Sequence, residues 1–333
     1  MKTEIVPFTS EMISEAAVLL AQRHRRQRQR LPWLPQRFEE TAVAEQALVS
    51  LLQKQTTSGY ASLCGGQMVA YLLGEWTVEP WGHCGWMRLP GSALAAGESV
   101  TTLQNLYVLL GDDWTKQGIF IHHIYLSTAG RDIIEAFFSL DFGKERIDAI
   151  LNFQEITIPA IQMPPGIEIR RAMSGDNALL RGLSHLIYQE LAKAPYWHPT
   201  PPDVWPDLAE GWAELADDTT VNVWLAMDGE RALGSIGFWP YEATAEDMLA
   251  SPQMSYLSLA VTREEARGRG ISTALTWTGL AHCRDHGDKY CISNWISPNL
   301  SASRFWPRFG FQEVAYRLTR NLNPMIAWTR RDL

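Results

Sequence analysis

The chain has 333 residues, 46 % of them apolar and 20 % charged, the balance of a soluble globular protein long enough for about two domains. Its net charge of −8 argues against general nucleic-acid binding and is compatible with a cationic amine substrate. No run of about 18 apolar residues is present to cross a membrane, and the first residues lack the apolar core of a signal peptide. Cys64, Cys84, Cys283 and Cys291 are too scattered for a disulfide scaffold or a zinc site. A cytoplasmic protein without metal, nucleic-acid or membrane partners is therefore expected.

Taken in order, residues 3–6 suit a short first strand. Residues 10–30 have a helical period, with Thr9 or Ser10 as N-cap and Ile13, Ala16, Leu19 and Leu20 on one face. This helix ends in a basic run of Arg23, Arg25, Arg26, Arg28 and Arg30. The run reads either as a solvated helix end suited to the negative dipole pole or as a docking patch for an anionic partner. Pro32 and Pro35 break the helix, and residues 38–52 form a second one. Residues 60–63 and 68–73 read as a hairpin about Gly65 and Gly66. Residues 94–100 are loop or strand entry, 103–110 a further strand, and Gly111-Asp112-Asp113-Trp114 a short helix. A strand at 119–126, a helix at 132–139 and a closing strand at 147–153 complete this half.

Pro164, Pro165 and Gly166 stop any regular element, so the boundary is set there, giving domains 1–162 and 166–333. After it the order repeats: strand 167–170, helix 176–191, an aromatic loop containing Tyr196, Trp197 and His198, then helix 204–215. A hairpin of 221–227 and 232–239 turns on Asp228 and Gly229. Strand 256–261 leads into a helix at 271–286, followed by strand 290–295, helix 299–309 and strand 311–319. Both halves read β-α-α-β-β-β-α-β-α-β. The fold class is α/β (α+β), each half a mixed, largely antiparallel twisted sheet flanked by helices.

The densest chemical signal lies between strand 256–261 and the helix at Ile271. Gly268 and Gly270 let the chain turn sharply and leave no Cβ between the backbone amides and a ligand. Arg267 and Arg269 add charge, and the free N–H groups of a helix start suit a phosphate or diphosphate. The string Arg267-Gly268-Arg269-Gly270-Ile271-Ser272 resembles the Arg/Gln-x-x-Gly-x-Gly/Ala motif of the GNAT superfamily of acyl-CoA N-acyltransferases, with Ser272 in the last small position. The tail from Asn299 through Ser303 and Trp306 to Gly310 and Phe311 resembles the family's Asn-x-x-Ala/Ser…Tyr-x-x-x-Gly-Phe. The resemblance implies two tandem GNAT-like domains. The second would hold acetyl-CoA through the strand backbone of Leu259, Ala260 and Val261, the loop 267–272, and Asn299 on the pantetheine arm.

One position departs from the pattern. Trp306 stands where the family often has the tyrosine that protonates the leaving thiolate, and an indole N–H is no proton source near neutral pH. Tyr256 and Ser303 join Trp306 as catalytic candidates, and the general base is unassigned, with a water chain to Glu242 or Glu246 as one route. The first half repeats the tail in worn form, with Gly130 at the place of Asn299. Gly111-Asp112-Asp113 is read as its phosphate loop, whose carboxylates would repel a diphosphate. Tyr196, Trp197 and His198 are expected to line the acceptor pocket. His282 and His286, four apart, read as helix-end cations beside a capping Gly287, and His122 and His123 face opposite ways on a strand. The implied function is an N-acetyltransferase moving an acetyl group to a primary amine. The alternative is a CoA-binding regulatory or interaction protein without turnover.

Overall fold

The computed structural model describes residues 3–329. The chain forms two compact units. Unit 1 is the chain up to Ile147 with Ala243–Ser251 and the chain from Glu313. Unit 2 is Asp148–Glu242 with Pro252–Gln312. This division does not follow the boundary at 162–166, because strands near the end of each sequence half are exchanged between the units.

Unit 1 begins with β1 (Thr3–Pro7), α1 (Ile13–Arg28), α2 (Thr41–Leu52), β2 (Ser58–Cys64), β3 (Gln67–Glu79), β4 (Gly82–Met87) and β5 (Ser92–Leu94). It continues through α3 (Thr101–Lys116), β6 (Ile121–Ser127), α4 (Arg131–Phe138) and the first residues of β7 (Gly143–Asn152). Unit 2 contains the rest of β7, then β8 (Glu168–Arg171), α5 (Asn177–Ala192), α6 (Trp205–Glu214), β9 (Asn222–Asp228), β10 (Arg231–Pro240) and β11 (Met254–Thr262). It goes on with α7 (Ile271–Asp285), β12 (Tyr290–Ile296) and α8 (Leu300–Phe305), and β13 (Gln312–Asn321) returns the chain to unit 1. The strand order is β1-β2-β3-β4-β6-β13-β7 in unit 1 and β7-β12-β11-β10-β9-β8 in unit 2. Hairpin neighbours pair antiparallel, whereas β4/β6 and β11/β12 are parallel.

Three sequence expectations are corrected. Residues 103–110 are not a strand: with 111–114 they form the single helix α3. The apolar run at 106–110 looks strand-like, but Leu103, Leu106, Tyr107, Leu110 and Trp114, all buried, recur at helical spacing. Asp112 and Asp113 therefore lie inside a helix and form no phosphate loop; the turn entering α3 is 95–100. The third strand of unit 1 is instead the interrupted pair β4 and β5, which lie along the same β3, Glu75 opposite Trp86 and Ala70 opposite Leu94. The third correction concerns the basic end of α1. Arg23 is buried and Arg26 half-buried, both donating to backbone carbonyls of unit 1, while Arg25 and Arg30 are exposed, so the run is solvated only in part.

Each sheet carries helices on both faces. In unit 1, α1 and α2 bury Ala16, Leu20, Ala44, Leu48 and Leu51 against Tyr71 and Leu73 of β3. On the opposite face α3 and α4 bury Leu106, Leu110, Trp114 and Phe137 with Ile124 of β6. Trp114 fits because β3 and β4 offer glycines: a Cβ on Gly74 or Gly85 would stand 2.5 Å from its ring. In unit 2, Gly279 of α7 has the same purpose, since a Cβ there would fall 2.0 Å from the Phe238 ring of β10. Close approach of helix to sheet, rather than turn geometry, fixes those glycines.

His122 and His123 are both buried and point to different partners. His122 shares a hydrogen bond with the Tyr107 hydroxyl at 2.8 Å, while His123 stacks on Trp86 with ring centroids 4.0 Å apart. Glu246 is engaged within unit 1, accepting from Lys54 at 2.7 Å and Ser50 at 3.0 Å. That occupies the carboxylate suggested for a water chain.

Candidate active site

Strand β11 organises unit 2. Its pairing with β10 slips by one residue between Gly237, opposite Leu259, and Phe238, opposite Leu257, so Ser258 is the extra residue of a bulge. On its other side β11 runs parallel to β12 only from Met254 opposite Tyr290 to Leu257 opposite Ser293. Ser293 Oγ closes that ladder by donating to Leu257 O at 3.0 Å. Past this point the two strands separate. Leu259 and Val261 stay buried while Ser258 and Ala260 are exposed, so the β12 side of 258–261 presents backbone to a cleft. An extended ligand with amide groups can pair there as an added strand.

The cleft continues into the glycine loop. After a single 3-10 turn at Glu264–Ala266, Gly268 and Gly270 adopt φ values of 75° and 82°. Nothing lies within 4 Å of a Cβ built on Gly268, so the glycine is demanded by its left-handed backbone and not by crowding. Gly270 is the N-cap of α7 and has no capping side chain. The first helical bond is that of Ala274 N–H to Gly270 O, which leaves the amides of Ile271, Ser272 and Thr273 ahead of the ladder. Ser272 Oγ lies 2.8 Å from Thr262 Oγ1 and ties the helix start to the end of β11.

The arginines are placed differently from each other. Arg267 Nη2 donates to Glu190 of α5 at 3.0 Å, and Lys193 joins Glu190 at 3.2 Å and Glu264 at 3.0 Å. Burial pushes the Glu190 carboxyl up, but the hydrogen bonds from Arg267 and Lys193 outweigh it and hold it below the usual range. Arg269 is exposed. Nothing in the motif pointed to Glu190, which comes from a helix far away in sequence.

Asn299 caps α8, its Oδ1 accepting from Ala302 N–H at 2.9 Å and from the Tyr196 hydroxyl at 3.2 Å. The aromatic loop therefore reaches the cap through Tyr196. Trp197 is 72 % exposed with φ 44°, and His198 is exposed as well. Tyr188 and Trp205 of α5 and α6 stack at 4.9 Å, adding an aromatic pair near that loop in sequence.

The three catalytic candidates separate by environment. Trp306 is buried among Phe305, Phe309 and Phe311, with centroids 4.9, 6.3 and 5.9 Å away. Ser303 Oγ accepts from Trp295 Nε1 at 3.0 Å. Tyr256, half-buried, lies two residues before the bulge, and its hydroxyl accepts from Asn294 Nδ2 at 2.9 Å. Its proton stays available for donation. Asn294 had no signal of its own in the sequence. The rings of His282 and His286 lie 3.8 Å apart, and no group of three potential metal ligands occurs among the described residues.

A bulged strand, a parallel neighbour that splays from it and a left-handed glycine turn into a helix define the GNAT fold, present in unit 2 with its motif residues and in unit 1 as a likeness of element order. Residues 185–311 match the acetyltransferase (GNAT) family. The rat protein N-acetyltransferase 8B is 28 % identical over 108 residues, covering 32 % of this chain, and the chain spans about half, 47 %, of that relative's length. Among solved structures, a GCN5-related N-acetyltransferase from Sphaerobacter thermophilus superposes with a TM-score of 0.59 at 13 % identity, covering 96 % of this chain and 95 % of that one. A tandem GNAT protein from the clavulanic acid biosynthesis pathway gives 0.53 at 13 % identity, over 97 % and 99 %. These likenesses are of fold and extend along both halves of the chain.

Proposed function

We propose that the protein is an N-acetyltransferase that uses acetyl-CoA and a primary amine, with its active site in unit 2. The observation that carries this reading is the parting of β11 from β12 after Leu257 and Ser293, continuous with the amides that open α7. The exposed backbone of 258–261 pairs with the pantetheine amides, and Asn299 holds the same arm. The amides of Ile271 to Thr273, with Arg267 and Arg269, take the diphosphate. Acetyl-CoA supplies a thioester-activated acetyl group. Reaction forms an N–C bond and breaks the C–S bond; the amine's proton passes to solvent water and the sulfur gains one. Tyr256, oriented by Asn294, donates that second proton, and Trp306 packs. Positioning and backbone donors at the bulge supply the rest of the acceleration. The aromatic loop at Tyr196, Trp197 and His198 borders the acceptor. The wide scatter of the four cysteines along the sequence suits a reducing, cytoplasmic setting.

A second reading, a CoA-binding regulator without turnover, is favoured by Trp306 at the tyrosine position. Calorimetry with acetyl-CoA on the wild type and on an Arg267→Glu, Arg269→Glu variant, followed by thiol release in the presence of an amine panel, separates them. One site per chain, lost in the variant, with amine-dependent thiol release supports the enzyme. Binding without release across the panel supports the regulator, and absence of binding removes both.

A further inference from the structure

Aromatic rings wall the β10 side of the sheet face that carries Tyr256. Tyr256 stands opposite Trp239 in the β10/β11 register, and Gly237, two residues back on β10, stands opposite Leu259 just past the bulge. Residues two apart on a strand share a face, so the Trp239 side chain and the bare position of Gly237 look the same way. The indole folds back over that position. A Cβ on Gly237 would stand 2.7 Å from Trp239 Cζ3, 2.9 Å from its Cη2 and 3.0 Å from Leu259 Cγ. Gly237 is not among the glycines with positive φ, so its missing side chain serves to admit the ring.

The indole is held from both sides. Trp239 is half-buried and packs on a core that includes Leu180 and Leu183 of α5 and Val261 of β11. Further along β10, the Tyr241 ring meets that of Tyr256 at 83°, with centroids 6.1 Å apart. Trp239 and Tyr241 therefore bracket Tyr256 along β10, and Leu259, itself buried, is the floor between the indole and the bulge.

In the proposed acetyl-CoA site the sulfur lies at the Tyr256 hydroxyl and the acyl oxygen on the amides of the bulge. Carbons beyond the carbonyl then run across β11 toward β10, whose axis is only about 4.8 Å away. Resting on that reading of unit 2, we propose that Trp239 sets the length of the acyl group, its indole over Gly237 and Leu259 stopping the chain at the acetyl methyl. A ring wedged between Leu259 and the core beneath α5 does not move aside without opening a void. The wall is apolar, so longer chains are excluded by shape.

The test is calorimetry on the full chain with CoA, acetyl-CoA and butyryl-CoA. The wild type is expected to bind butyryl-CoA at least about 10-fold more weakly than acetyl-CoA, the lower end of what a misfitting methylene costs in an apolar pocket. Trp239→Ala should bring the two thioesters to within about 3-fold of each other, and Trp239→Phe should fall between. Unacylated CoA reports on folding and on the rest of the site, because it has no chain to meet the indole. Where Trp239→Ala fails to bind CoA, Trp239→Phe decides by the same criterion. Equal binding of the two thioesters by the wild type, or a gap that survives Trp239→Ala in a chain that binds CoA, would overturn the role of Trp239 and leave the acyl-CoA site standing. Loss of CoA binding in both variants would make Trp239 a residue of the fold and overturn that role as well. Failure of the wild type to bind CoA or either thioester would instead remove the acyl-CoA reading itself, and the role of Trp239 with it.

Discussion

The hydroxyl of Tyr256 accepts a hydrogen bond from Asn294 Nδ2 at 2.9 Å, linking β11 to β12 just before the two strands part. The pair places an orientable O–H at the head of the cleft. Removing the hydroxyl in Tyr256→Phe should lower kcat by about 10²-fold, the lower end of the general-acid range, with little change in the KM for acetyl-CoA. Asn294→Leu should give a smaller loss in kcat and alter the pH–rate profile, because the hydroxyl is then unanchored. Steady-state kinetics across pH decide this; an unchanged kcat in Tyr256→Phe would remove it as the proton donor.

Glu190 accepts from Arg267 at 3.0 Å and in the proposed site would compete with the cofactor's diphosphate for it. Glu190→Gln should therefore tighten acetyl-CoA binding by about 2- to 5-fold, the factor expected for one partly exposed ion pair. Calorimetry at two salt concentrations measures it. Weaker binding would mean that Glu190 helps hold the loop in its binding shape.

Burial, the largest cause for each, lowers His24 and His122 of unit 1 to about 4, and His123 also shifts down. The folded chain thus resists a proton that the unfolded chain accepts near 6.5. Their contribution is present above pH 6.5 and is lost as the pH falls from there toward 4. The loss is on the order of a few kcal/mol in total for this set. The urea midpoint should fall between pH 7 and pH 5, and His122→Gln should flatten that dependence. A midpoint that is level over this interval contradicts the assignment.

Two glycines give opposite expectations. Gly279→Ala forces a methyl to within 2.0 Å of the Phe238 ring and should cost about 1–3 kcal/mol. Gly211, inside α6 with nothing within 4 Å of its Cβ position, should gain about 0.5–1 kcal/mol as alanine. Chemical denaturation of both variants checks the signs.

The element order of the second half was readable from the sequence, and so were the turn and the cap that border the cleft of unit 2. Gly268 and Gly270 adopt left-handed φ, and Asn299 caps a helix, through chemistry confined to a few neighbouring residues. What escaped was set through space. Residues 103–110 are an apolar run whose adjacent Val108, Leu109 and Leu110 mask the helical spacing of Leu103, Leu106, Tyr107 and Leu110, and the room for Trp114 is supplied by Gly74 and Gly85 on two other strands. An arginine run looks solvated until β5 supplies carbonyls to it. Glu190 and Asn294 reach the cleft from elements whose local sequence carries no motif.

The position of β13 between β6 and β7 has a consequence for biogenesis. Unit 1 cannot complete its sheet until the residues of β13, from Glu313 on, have left the ribosome. Until then the inner edges of β6 and β7 are unpaired backbone, a template for association with other chains. A gene split at residues 162–166 would make that interval permanent for the first fragment. Co-expression of the two fragments, rather than either one alone, is the arrangement expected to restore a monodisperse product.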